Sequence, residues 1–368
     1  MKLEARVLDL PAAAGARAAV AALLREPEEE LARLEAARDE EALHDFRVAL
    51  RRLRSVARAL RPQLGDLLRK KHERRLGAVA RATTAARDAE VQLAWLAQER
   101  QRAGAREQPG IDWLARRLEG QLRDARGGDL RATASRFRRL ARRIAKALAG
   151  ATGPAPGEPV PSFGALLAGL LRSHAAELAS ALEAVGGPLD VEPGHAARIA
   201  GKRLRYLLEP LRGSRRADAS PAVAVLKELQ DLLGELHDAH VAMGTVAAAL
   251  VETATGRARE AHAAVLAGDA GAGSLRLARR DPLARGLLFL DRRAVERAAV
   301  AHASLLREWR PARQGALVEA VARVVDGLEA ARRAPAPSRR PPRRRSASPA
   351  SRRGRVPARP TGARSRRI

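Results

Sequence analysis

Two eleven-residue segments concentrate the polar side chains of this sequence: HDFRVALRRLR, beginning at His44, and HAARIAGKRLR, beginning at His195. His, Arg, Ala, Arg, Leu and Arg coincide in register, and the pairs Val48/Ile199 and Arg51/Lys202 agree in kind. On a helix advancing about 100° per residue, His44, Arg47, Arg51, Arg54 and Arg58 fall within a fan of roughly 80° over about four turns. His195, Arg198, Lys202 and Arg205 take the same angles in the second segment. Val48, Leu53, Val56 and Leu60, and then Ile199, Leu204 and Leu208, lie on the opposite faces. Each helix is therefore amphipathic with one concentrated cationic ribbon. Guanidinium forks match phosphate oxygens bidentately, and imidazole adds a donor that charges as pH falls or as a phosphate approaches. The chemistry is recognition of a phosphate-rich anion.

Like charges at three- and four-residue spacing cost a few tenths of a kcal/mol per pair. Neither ribbon carries an acid on its face through its first three turns; Glu209 closes the second. Two explanations stand open. One is an anion that compensates both ribbons, and the other is a solvated basic face paired with acids from other helices. Duplication favours the first.

The repeat extends beyond these segments. RDAEV at Arg87 and HDAHV at His237 are offset by 150 residues, against 151 for the basic segments. Two motif pairs with nearly one offset imply a duplicated helical unit. A unit of about 150 residues suits a four-helix bundle. The expected fold is all-α: two similar four-helix bundles with pseudo-two-fold symmetry around a basic central cavity.

Composition agrees with an all-helical chain, being rich in Ala, Leu, Arg and Glu. Breakers and periodicity predict helices over about 12–36 (broken near Pro27), 40–60, 63–102, 111–126 and 129–149. Further helices are predicted over about 162–185, 195–211, 220–253, 255–267, 280–306 and 311–333. The expected organisation is a first half over 1–150, a Pro/Gly linker over 151–161 and a second half over 162–333. A disordered Arg/Pro/Ser-rich tail over 334–368 follows.

The net charge is +27. Fourteen arginines and no acid lie between Arg332 and Ile368, which leaves +13 on the preceding 331 residues. Body and tail are both basic, pointing to an anionic partner. Eight aromatic residues are too few for a nucleic-acid surface built on base stacking. The absence of cysteine excludes disulfides and thiolate chemistry and suits a reducing compartment. No run of about 18 uncharged apolar residues predicts a membrane span, and charges interrupt any would-be signal core at the start.

LHDFRVALRRLR and HAARIAGKRLRYLLEPL resemble the two signature helices of the CHAD (conserved histidine α-helical domain) family. LKELQDLLGELHDAHVA, at 226–242, is similar to that family's Leu-Gly-x-Leu-Asn-Asp motif, with His237 standing where Asn is expected. ATTAARDAEVQLAWL looks like its first-half counterpart. The resemblance covers roughly residues 12–331. It implies two bundles whose basic helices face a shared cavity, binding of inorganic polyphosphate, and association with polyphosphate granules in the cytoplasm. Carried over by position, the ligand-facing residues are His44, Arg47, Arg51 and Arg54 with His195, Arg198, Lys202 and Arg205. Arg52 and Arg203 extend the motif at matching positions, and Arg58 extends the first ribbon. Many relatives carry an N-terminal triphosphate-tunnel domain marked by Glu-x-Glu-x-Lys. EARVL at Glu4 does not match it, so hydrolase activity from such a domain is expected to be absent.

The expectation is a binding protein with no cofactor, no metal site and no catalytic residues. Asp88 and Asp238 are expected to accept hydrogen bonds from an arginine or a helix end and so orient the ribbons. An alternative enzyme reading takes His237 and His240 as shared metal ligands beside Glu235 or Asp238 in a His-Asp phosphohydrolase. His72, His174, His262 and His302 read as scattered surface or partly buried histidines. A third reading makes the chain a nucleic-acid-compacting protein acting through its arginine tail, which would bind any polyanion by counterion release. The basic stretches at 69–75 and 136–146 could widen an anion path or form solvated faces. Trp95, Trp113, Trp309 and Tyr206 read as core or interface anchors.

Overall fold

Helix chemistry in the sequence resolves into long α-helices in the computed structural model, which describes residues 3–37, 40–126, 130–150, 160–268, 281–309 and 313–333. They are α1 (Ala5–Leu8), α2 (Ala12–Ala37), α3 (Glu40–Leu64), α4 (Lys70–Arg102), α5 (Gln108–Arg126) and α6 (Leu130–Ala149). Then come α7 (Phe163–Glu183), α8 (Val191–Leu208), α9 (Ser220–Leu266), α10 (Ala284–Trp309) and α11 (Arg313–Arg333). Two 3-10 turns, Gly65–Leu68 and Glu209–Leu211, follow the two basic helices α3 and α8. No strand occurs among the described residues. The expected tail and most of the expected linker lie outside the described residues.

Several boundaries differ from the predicted ones. α2 passes through Pro27 without a break, and α3 continues through Pro62 to Leu64. A proline removes one backbone donor and crowds the carbonyl four residues earlier; at Pro62 that loss falls in the last turn. The chain then reverses at Gly65, whose φ of 48° is the left-handed conformation glycine tolerates, so α4 starts only at Lys70. The two helices predicted over 220–253 and 255–267 are one helix of 47 residues, about 70 Å long.

Residues Met1–Ala331 form one unit with two apolar clusters. The larger takes Val20, Leu50, Leu53 and Phe137 from the first half and Leu171, Leu204, Leu226 and Leu233 from the second. It therefore spans both sides of residues 151–159. The smaller joins Trp95 and Leu96 of α4, Ile111 and Leu114 of α5, Val246 of α9 and Leu287 and Leu290 of α10. Trp309 and Tyr206 are buried in or against the larger cluster, and Trp113 packs on the smaller. Backbone hydrogen bonds also cross the halves: Ala12 N–H donates to Pro161 O (2.9 Å) and Phe163 N–H to Leu10 O (2.8 Å).

The smaller cluster closes through two glycines. A Cβ at Gly110 would lie 2.2 Å from Leu283 O, and one at Gly286 would lie 2.0 Å from Glu107 O. Backbone meets backbone there, so neither contact can relax by turning a side chain. Gly286→Ala is expected to destabilise the protein by about 1–3 kcal/mol, although alanine is the better helix former. Thermal melting measures this, and an unchanged Tm would show that α5 and α10 do not approach so closely.

Candidate anion-binding site

The apolar faces of α3 and α8 fix where their cations point. Phe46, Leu50, Leu53 and Leu60 anchor α3, and Ala197, Ala200, Leu204 and Leu208 anchor α8. With those faces buried, the ribbons are left at the boundary with solvent. His44, Arg51, Arg58 and His195 are exposed, while Arg47, Arg54, Arg198, Lys202 and Arg205 are half-buried.

The two ribbons meet. Arg51 of α3 lies close enough to Arg198 and Lys202 of α8 to oppose the charge on both. Asp88 of α4 and Asp238 of α9, equivalent in the repeat, sit at the same junction and repel one another. The imidazole of His195 lies over that of His237, with ring centroids 5.4 Å apart and planes inclined by 31°. Asp88, Asp238, Arg198, His237, Gln92 and Arg297 share the lining of a small cavity of about 140 Å³ at this point.

Charge at the junction is poorly compensated. Burial, followed by Arg198, Arg51 and Arg205, lowers Lys202 from its ordinary 10.5 to about 7, and Asp238 opposes this only weakly. Burial likewise lowers Arg47, Arg54 and Arg198. His237 is pushed down to about 4 by burial, then by Arg198 and His195. The Nε atoms of Arg47 and Arg198, which correspond in the repeat, are both buried without a hydrogen-bond partner. A buried donor left unmatched costs about 1–3 kcal/mol. An anion supplying oxygens at this place would recover that cost.

Two residues depart from the expected ligand-facing set. Arg52 donates to Glu26 from Nη1 and to Glu209 from Nε, both at 2.6 Å, and Arg203 donates to Glu177 at 2.5 Å. Both arginines bond a carboxylate 26 residues earlier in the chain, so the ion pair is repeated with the helix. Each ties its basic helix to the preceding one, α3 to α2 and α8 to α7. The reason is angular: each lies about 80° from its histidine on the side away from the fan. Arg58 stays at the end of its ribbon, 3.5 Å from Glu73. Arg205 is partly answered by Glu209 at 3.4 Å.

The carboxylates at the junction also differ from expectation. Among the described residues neither Asp88 nor Asp238 makes a hydrogen bond or a close ion pair. Burial raises both, against the pull of Arg47 on Asp88 and of Arg297 and Arg198 on Asp238. His240 does not share a site with His237: its Nε2 donates to Pro188 O at 2.7 Å. Of the other histidines, His72 and His302 are buried, His174 meets Glu177 at 2.9 Å, and His262 is exposed. Arg297 and Gln92 were not visible from the sequence as cavity residues. Arg297 sits in a mixed-charge helix and pairs with Glu235 at 2.7 Å, and no local spacing marks it.

The lowered Lys202 sets a stability prediction with a definite sign. The unfolded chain holds this proton more tightly than the folded one, so a charged Lys202 opposes folding. That penalty is complete below about pH 7 and fades as pH rises from 7 toward 10.5. Lys202→Met should therefore stabilise the fold by about 1–2 kcal/mol near pH 6, and by less near pH 9. Melting at the two pH values measures it; a Tm that falls equally at both contradicts it.

The sequence model of the CHAD domain matches residues 14–247, which include both basic helices and both aspartates. The crystal structure of the CHAD domain from the plant Ricinus communis is similar with a TM-score of 0.52 at 20% identity, covering 88% of this chain and 96% of that one. PptA from Streptomyces chartreusis is similar with a TM-score of 0.56 at 18% identity, covering 82% of this chain and all of that one (100%). No curated protein matches the sequence. At such identities the solved structures speak to the fold, and the match to the sequence model extends over more than half of the chain. On that match, this chain belongs to the CHAD domain family.

Proposed function

We propose that this chain binds inorganic polyphosphate between its two basic helices and is not itself a catalyst. One observation carries the reading. Cationic ribbons from different halves of the chain converge, and the tightly bonded arginines, Arg52 and Arg203, lie off the ribbon, whereas Arg58 and Arg205 on it meet Glu73 and Glu209 only at 3.5 and 3.4 Å. The ligand-facing set is then His44, Arg47, Arg51, Arg54, His195, Arg198, Lys202 and Arg205. The two repeated halves would present it as a pseudo-symmetric pair around one basic cavity.

A phosphate chain suits this place better than a nucleic acid does. Trp95, Trp309 and Tyr206 are buried, so they offer no exposed ring for a base to stack on. A linear polymer with one charge on each unit needs only closely spaced cations. Burial of Arg47 and Arg198 lowers the local dielectric and strengthens each contact. Association with polyphosphate granules in the cytoplasm follows as the cellular setting of this reading. The arginine-rich residues 334–368 would add affinity for any polyanion without reading its sequence.

Replacing Arg51, Arg54, Lys202 and Arg205 together by Ala is the direct test. In the chain ending at residue 333, polyphosphate affinity should fall by at least about a hundredfold, with the helical circular dichroism unchanged. Binding that survives places the ligand elsewhere. Duplex DNA as competitor, with and without residues 334–368, separates tail binding from body binding. Phosphate release with Mg²⁺ or Mn²⁺ present would contradict the non-catalytic reading.

Binding should also take up a proton. A phosphate beside Lys202 favours its charged form, so its pKa rises from about 7 on binding. Affinity then declines as pH rises above about 7, and Lys202→Arg, charged throughout, flattens that decline. Calorimetry near pH 8 in two buffers of different ionisation heat measures the uptake; equal heats would contradict it.

A further inference from the structure

We propose that the groove between α4 and α6 is a second phosphate-polymer site, an outer track that takes up chain running beyond the cavity between α3 and α8. This rests on the polyphosphate reading above and concerns residues outside the ligand-facing set.

The groove encloses about 280 Å³; Arg75 of α4 and Arg136, Arg139 and Arg143 of α6 stand around a floor that includes Val79 and Leu140. The three α6 arginines follow helical spacing and cover about 10 Å along one face. All four arginines are exposed, and among the described residues none has a carboxylate within ion-pair distance. α6 contains no acidic residue at all. A second observation marks the crowding of charge. His72, buried beside the groove, is held below its ordinary pKa by burial and then by Lys71, Arg75, Arg69 and Arg143. Cations of one sign over an apolar floor focus the potential outward, which attracts an anion more strongly than a flat patch does.

The central ribbon extends to α4, the helix that forms one wall of the groove. Arg54 reaches α4 where Gly77 leaves room: a Cβ there would lie 3.2 Å from Arg54 Nη2 and 3.5 Å from Arg81 Nη1. Arg54 and Arg81 oppose each other's charge. The cations therefore run from Lys202 through Arg51 and Arg54 to Arg81 on α4, with the groove on that helix's other flank.

The track belongs to one half only. The counterpart of α6 is α11, the last helix of the second half, which like α6 buries an apolar face in the larger cluster, and α11 carries Glu319, Asp326 and Glu329 among its basic residues. On α9, Glu228 and Glu235 are paired with Arg313 and Arg297. A requirement of the shared fold would appear in both halves. An unmatched basic groove on one side instead gives a long ligand a single direction of exit.

The test compares ligand lengths on the full chain. Parent protein and the Arg136→Gln/Arg139→Gln/Arg143→Gln variant are titrated with tripolyphosphate and with polyphosphate of about a hundred units, across a salt series. The variant should bind tripolyphosphate as the parent does. It should lose about tenfold in affinity for the long polymer, and its slope of log affinity against log salt should fall by about two. Circular dichroism and melting confirm the fold, since the three side chains are exposed. Unchanged long-chain affinity and slope overturn the outer track while leaving the central site intact. Equal losses for both ligands also overturn it, because the groove would then act on every chain. A parent that binds neither ligand overturns the polyphosphate reading itself.

Discussion

Same-sign charge held together at a buried junction is the constraint around which this structure is arranged. Arg51 stands within electrostatic reach of Arg47, Arg198 and Lys202, and the burial of those three removes much of the water that would otherwise screen the repulsion. Such an arrangement costs stability, so something must hold the helices in place against it. The apolar faces do so. The ribbons are narrow fans on helices whose other sides carry Phe46, Leu50, Leu53, Leu60, Leu204 and Leu208 into a common core.

The ion pairs of Arg52 and Arg203 belong to this support. Both lie on basic helices, yet each bonds a carboxylate on the preceding helix and so braces its ribbon from behind. A half-buried pair of this sort contributes more to placing the helices than to net stability. The division within each helix is physical. The closest carboxylate bonds go to arginines off the fan, while on it Arg58 and Arg205 meet acids only at 3.5 and 3.4 Å.

The same logic separates the two halves. They share the cationic ribbon, the aspartate at the junction and the rear ion pair, which together describe one repeated device. They differ in their last helices: α6 carries only basic charges, whereas α11 mixes arginines with Glu319, Asp326 and Glu329. The ribbon is common to both halves, while the all-basic face of α6 belongs to one.

The sequence by itself determined the helical class, the duplication and the identity of the ribbon, because each depends on local periodicity that survives without tertiary contacts. Its spacing even separates Arg52 and Arg203 from the ribbon, although motif matching grouped them with it. Only the tertiary structure decided that the ribbons converge and that Lys202 is desolvated. It also revealed that Glu26, Glu177 and Glu209 neutralise the off-face arginines. It let α2 and α3 continue through Pro27 and Pro62 and α9 run unbroken to Leu266, since packing outweighs the local preference of a single residue. Charge distribution along a chain is written locally, whereas its compensation depends on distances between helices far apart in sequence.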